Sequence, residues 1–356
     1  MSRDNKKKNR EILAPELLIE QANIALSSLQ PELALKFYER ALLLSPNDTN
    51  IMDALSDVYI QLGNKVKGKE LLLNSVMLQP TINPYKWMYL AQLQQGLEAK
   101  NSYNKGIELL LPSATDNSEI QHHLCKIYCS IAELYLTDLC YEDSAEESCE
   151  RAINEALLLD NTSIDAKQTL VNLKLSQNRG NEAVIVIQEV YNEIKNTINH
   201  INSRAIINEL QDENDDNVVL PEFDFCISTC KLLVECASFK PQLAEYAIDL
   251  GSELLNLDDD NIELWYILGV AALGLDPPDI DSSKYHLERA LAMMNEMIEK
   301  DKNAFIYHEE YNLVNEHLKI VENYKPNSKD AKNIEVMDSE VSLEDEEEWS
   351  DVEMKE

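Results

Sequence analysis

The chain has 356 residues, 44% of them hydrophobic, and carries 65 acidic against 31 basic side chains for a formal charge of −34. That length and apolar share bury a large core and exclude wholesale disorder, while the charge repels nucleic-acid phosphate and anionic membrane faces and leaves a basic partner as its complement. With only 8 Gly and 11 Pro, helices joined by short turns are favoured over a turn-rich β architecture.

The first eleven residues are polar and carry Lys6, Lys7, Lys8 and Arg10. They read as a basic flexible N-terminus, not a signal peptide, and as a short cluster that a nuclear import receptor could recognise. No apolar run approaches the ~20 residues that a membrane span needs. Seven cysteines, an odd number without a C-x-x-C pair, read as reduced thiols. The expected setting is the cytoplasm and nucleus.

From residue 12 a repeat takes over. Ala34, Tyr38, Ala41 and Pro46 recur 34 positions later as Gly68, Leu72, Ser75 and Pro80, the period of tetratricopeptide helix pairs. Close crossing of two antiparallel helices requires the small residues, and Pro ends the second helix because it has no N–H to donate. Trp87, Leu90 and Ala91 open a third unit. Ile131, Ala132 and Tyr135, followed by Ala145, Cys149 and Ala152, make a fourth, and Lys167, Leu170, Val171 and Lys174 with Ala183, Ile187 and Val190 a fifth.

An acidic stretch at 210–222, with Asp212, Glu213, Asp215 and Asp216, reads as a loop insertion. A sixth, irregular unit covers about 223–260. The seventh contains Trp265, Leu268, Gly269 and Ala272, in the spacing W-x-x-L-G-x-x-Y with Ala for the last residue. Helices near 303–322 are expected to cap the array. The spacing thus predicts an all-α fold, an α-α superhelix of about seven tetratricopeptide-like repeats over 12–323. Residues 324–356 are expected to form a disordered acidic tail, since 326–356 hold twelve acidic and three basic residues.

In such arrays the first helix of each pair faces the concave side. Projecting the register places Glu16, Ile19 and Asn23 there, then Asp53 and Asp57, then Tyr85, Met88 and Gln92. Glu133 follows, then Asp165, Gln168 and Asn172, and finally Glu263 and Tyr266. Carboxylates interleaved with tyrosines suit Lys and Arg side chains. Reversing Asp53, Asp57 and Glu133 to Lys is expected to abolish partner binding without loss of helicity. Ser342 and Ser350 precede acidic residues and suit an acidophilic kinase. No glycine-rich phosphate loop, H-E-x-x-H or G-x-S-x-G is present, so no enzyme and no cofactor is expected. His122, His123 and Cys125 have no second ligand cluster to complete a metal site.

The acidic repeat array, the loop insertion and the terminal Asp345-Glu-Glu-Glu-Trp349-Ser-Asp351 run together resemble the fungal dedicated assembly chaperones of the fourth large-subunit ribosomal protein. The resemblance implies capture of that basic, newly made protein through its long internal loop, protection from aggregation and stray RNA, and delivery to nuclear pre-ribosomes without ATP. The other reading of the same fold is a generic tetratricopeptide scaffold subunit of a multiprotein complex.

Overall fold

The computed structural model describes residues 14–115, 117–208, 220–300 and 308–324. The basic N-terminal cluster, the core of the acidic insertion and the acidic tail with Ser342 and Ser350 lie outside the described residues. Among the described residues there are fifteen α-helices and no strand, the all-α class that the repeat spacing predicts. The chain divides into two compact units, one ending at Leu173 and the other starting at Lys174.

In the first unit, α1 (Pro15–Ser27) pairs with α2 (Pro31–Leu44), α3 (Thr49–Gln61) with α4 (Lys65–Leu78), α5 (Tyr85–Gln92) with α6 (Gly96–Leu110), and α7 (Ser118–Leu136) with α8 (Ala145–Leu159). The helix α9 (Ile164–Ser176) runs across the boundary. Local signals start these helices where the sequence says they should. Pro15 and Pro31 occupy first-turn positions, where a missing N–H costs nothing. Asp48, Asn64 and Asn117 accept hydrogen bonds from first-turn amides of α3, α4 and α7. Leu29 and Gly63, themselves 34 residues apart, both adopt positive φ (54° and 79°) to turn the chain between the helices of a pair.

The repeated small residues do what the spacing requires of them. Ala34, Ala41 and Ser75 are fully buried, and a Cβ on Gly68 would stand 2.7 Å from Ile60 Cγ1. The two helices therefore meet through glycine and alanine surfaces, while Tyr38 and Leu72 fill the space beside them. Trp87 donates its indole N–H to the Pro80 carbonyl at 2.8 Å. In the second unit Trp265 repeats the device on the Asp259 carbonyl, also at 2.8 Å. The repeat tryptophan thus ties the start of a first helix to the chain that enters it.

The second unit holds α10 (Gly180–Asn208), the pair α11 (Phe223–Ala237) and α12 (Gln242–Leu255), the pair α13 (Ile262–Leu273) and α14 (Ile280–Lys300), and α15 (His308–Asn323). Ala183, Ile187, Val190 and Ile194 make a fully buried stripe along α10 at helical spacing. Tyr191 of α10 stacks on Tyr246 of α12 with centroids 4.4 Å apart and donates to Asp249. Lys195 bridges Asp249 at 2.8 Å and Glu253 at 2.5 Å. Gly269 repeats the role of Gly68, since a Cβ there would stand 2.6 Å from Leu287.

Candidate partner-binding face

The first helices of the N-terminal unit bring four of the projected carboxylates together as two like-charged pairs, Asp53 with Asp57 and Glu133 with Asp165. On α3, Asp53 and Asp57 stand one turn apart. Asp57 is exposed, yet its carboxyl is crowded by protein, and this burial, followed by the Asp53 charge, pushes its pKa up to about 6. Tyr38 lies beside it, its hydroxyl raised by burial first and by the Asp57 charge second, and donates to the Asn23 side-chain oxygen at 2.5 Å. Asn23 and Asp57 thus present an acidic, hydrogen-bonding surface above the buried Tyr38 and Asp53.

On α7 and α9, Glu133 and Asp165 repeat the arrangement. Glu133 is exposed, Asp165 half-buried, and the Glu133 carboxyl is raised by burial and then by the Asp165 charge. Asn172 is exposed two turns further along α9. On α5, Tyr85 stands edge-on to His123 with centroids 4.8 Å apart. Tyr85 and Met88 are half-buried against the core formed by α6 and α7. They give an apolar, uncharged lining along α5.

Three projected residues are corrected. Asp53 is not open to a partner: it is 9% exposed, accepts from Ser75 Oγ at 2.5 Å and Asn83 Nδ2 at 2.8 Å, and is spent on internal contacts. Replacing it by Lys would bury an unpaired cation, so the expected retention of helicity does not hold for that position. Gln92 is exposed at the end of α5 and lines a cavity of about 670 Å3 with Lys65, Lys69 and Glu98. In the second unit Tyr266 lies under α15, edge-on to His317 with centroids 5.6 Å apart and packed into the core between α13, α14 and α15. Glu263 is exposed but already paired with Lys231 at 2.5 Å.

Sequence reasoning missed the cation beneath the acidic surface. Lys86, on the first helix α5, has no exposed surface. Its ammonium donates to the Ser75 carbonyl at 3.3 Å and to Ser75 Oγ at 3.1 Å. Ser75 therefore relays between Lys86 and Asp53, and Asn83, held at φ 51°, closes the network. Burial lowers the Lys86 pKa, and the Asp53 charge opposes that shift. The only signal in the sequence is Ser at the small position where the neighbouring repeat has Ala41. Nothing in the spacing links that Ser to a lysine eleven residues on.

Asp57 sets a pH dependence. Its folded pKa of about 6 lies above its ordinary value of 3.8, so the folded chain holds the proton more tightly than the unfolded chain. Stability therefore falls as pH rises from about 4 through 6 and is level above. Asp57→Asn is expected to raise the melting temperature by a few degrees at pH 7 and to leave it unchanged at pH 4. Thermal melts across that range measure it, and an equal gain at both pH values would refute the assignment.

Stacked helix pairs with small residues at their crossings define a helical-repeat protein of the tetratricopeptide type. A solved tetratricopeptide-repeat protein from Parabacteroides merdae shares this fold, with a TM-score of 0.51 at 14% identity over 87% of this chain and 99% of its own. The particular likeness is to fungal proteins named "Probable assembly chaperone of rpl4", as the repeats and the terminal acidic run imply. The one from Schizosaccharomyces pombe is 31% identical over 230 residues, 62% of each chain. That from Emericella nidulans is 27% identical over 284 residues, 74% of this chain and 67% of its own. The chain thus spans less than two thirds of the length of the S. pombe relative. The solved "Assembly Chaperone of RpL4 (Acl4)", residues 1–338, superposes with a TM-score of 0.60 at 22% identity, covering 76% of this chain and all of its own. No family model matches the chain.

Proposed function

We propose that this chain is a dedicated, non-enzymatic chaperone for a newly made, highly basic ribosomal protein of the large subunit, the fourth, whose long internal loop it holds on the carboxylate-bearing first helices. The observation that carries this reading is the pair of like-charged couples, Asp53 with Asp57 and Glu133 with Asp165. Asp57 and Glu133 reach solvent, and a Lys or Arg arriving there would relieve the repulsion that each feels from its neighbouring carboxylate. The printed names of the two fungal relatives support the choice of client.

Under this reading the carboxylates stand in for the rRNA phosphates that the client meets later, and hand-over follows when rRNA competes for the same cations. Lys6, Lys7, Lys8 and Arg10 would be read by an import receptor, so that the complex moves between cytoplasm and nucleus. Phosphorylation of Ser342 and Ser350 would deepen the negative charge of the tail.

The test is a titration of the full chain with the ribosomal protein and with its isolated internal loop at rising salt. Tight binding at about 50 mM salt is expected, weakened at least tenfold by about 300 mM, because ion pairs at an exposed face are screened. A ribosomal protein that fails to bind, or that binds with no salt dependence, would end this reading.

A further inference from the structure

We propose that the outer face of the first helix pair, α1 with α2, is where a second copy of this chain docks, about a two-fold axis running along the pair. The proposal does not depend on the identity of the client.

The face is a repeat surface without its neighbour. In α3, Ile51, Leu55 and Val58 are buried in the core that α3 shares with α1 and α2. The same repeat positions in α13, Leu264, Leu268 and Ala271, are buried as well. Their counterparts in α1 are Leu17, Gln21 and Ile24, and Leu17 and Ile24 are 40% and 53% exposed. The second helix repeats the contrast. The wall that α4 turns towards α2, along a cavity of about 630 Å3, is made by Lys67, Glu70, Leu71 and Asn74, and 34 residues earlier stand Leu33, Lys36, Phe37 and Arg40. The first pair thus keeps apolar side chains where the terminal pair of such an array is ordinarily polar. Residues 1–10, which the period sets against 35–44 of α2, contain one apolar side chain, Met1, so their sequence holds no apolar stripe to cover the face.

Charge selects the occupant. On this face α1 carries Glu16 and Glu20 and α2 carries Lys36 and Arg40, all four exposed. Glu39, the carboxylate next to Arg40 in sequence, lies on the opposite side of α2, in the cavity towards α4, where it accepts from the Tyr59 hydroxyl. The face therefore has an acidic half along α1, a basic half along α2 and apolar side chains on both. A two-fold axis along the pair lays α1 of each copy on α2 of the other. Glu16 and Glu20 then meet Lys36 and Arg40 twice, and Leu17 and Ile24 meet Leu33 and Phe37. A wholly basic or wholly acidic partner is repelled by one half, and a nucleic acid by Glu16, Glu20 and the chain's −34. Helices of 13 and 14 residues are ~20 Å long, so the contact covers on the order of 500 Å2 per copy, at the low end for specific interfaces, and association in the micromolar range is expected.

The test is the mass of the full chain in solution at about 150 mM salt, by sedimentation or light scattering between ~1 and ~200 μM. The parent is expected to rise from 40.6 kDa towards twice that mass. Glu16→Lys/Glu20→Lys and Lys36→Glu/Arg40→Glu are each expected to weaken association at least tenfold, because each makes the two halves of the face alike in charge. Mixed in equal amounts, the two variants are expected to pair with one another at least as tightly as the parent pairs with itself, a result that misfolding does not produce. Leu17→Ser/Ile24→Ser, at exposed positions, is expected to weaken association at least tenfold with the circular dichroism unchanged. The proposal is overturned by a parent that stays at 40.6 kDa throughout, by association that the charge variants or the serine variant leave unchanged, or by a mixture that remains monomeric. A chain that associates only after residues 1–13 are removed would also overturn it, and would assign the face to the chain's own N-terminal segment.

Discussion

Asp57→Lys combined with Glu133→Lys is expected to weaken binding of the basic ribosomal protein by about 100-fold or more, with the far-ultraviolet circular dichroism unchanged. Both side chains are exposed, and the longer lysine side chain can carry its ammonium past the crowded carboxyl position into solvent. Each replacement turns an attraction into a repulsion at a site where a second carboxylate has concentrated the field. Close charge pairs across an interface couple by roughly 1.5–7 kcal/mol, so losing two of them exceeds the ~2.7 kcal/mol that a 100-fold change represents. The control is Glu32→Lys with Glu147→Lys, which alters the net charge equally but on the second helices α2 and α8. That variant should keep most of the affinity. Equal loss in both variants would mean that net charge alone draws the client, and the assignment to the first helices would fail.

Asp53 is left out of that variant because of what lies beneath it. Lys86→Met is expected to destabilise the chain by about 3 kcal/mol, since methionine fills the volume but leaves the buried Asp53 carboxylate without its counter-charge. Lys86 is wholly buried and reaches Asp53 only through Ser75. Removing the ammonium forces Asp53 either to take up a proton or to stay charged in a poor environment, and both are costly. Adding Asp53→Asn to Lys86→Met should recover most of the loss, because two neutral groups need no compensation. Thermal and urea unfolding of the two single variants and the double variant measure the coupling. Additive losses would show that Lys86 and Asp53 are independent, and the relay through Ser75 would then be wrong.

The relay also bears on the binding face. Lys86 holds Asp53 inside the protein, and Asp53 in turn helps to keep Asp57 at its raised pKa. A cation arriving at Asp57 supplies the missing charge from the solvent side. Affinity for the basic client should therefore rise with pH as Asp57 ionises near 6, the opposite sense to the stability contributed by the same residue.

The repeat was legible because its determinants are local and periodic. Ala34, Ala41, Gly68 and Ser75 are buried where the 34-residue period puts them, and Trp87 and Trp265 make the same indole contact at the same repeat position. A residue that must be small, or that caps a helix, is constrained by neighbours close in sequence, and this can be read without coordinates. Positions on the first helices were assigned a face by the same period. Their energetics were not legible in it. Asp53 and Asp57 look equivalent as projected positions, yet one points into a network with Ser75, Asn83 and Lys86 while the other reaches solvent. Tyr266 looks open until α15 is laid against it.

The sequence by itself therefore determined the helical class and the pairing of helices, because each follows from spacing and small residues. Only the tertiary structure decided which carboxylates are free to meet a partner and where a buried lysine balances them. Those properties arise between residues tens of positions apart, where burial sets the strength of each charge and periodicity carries no information about it.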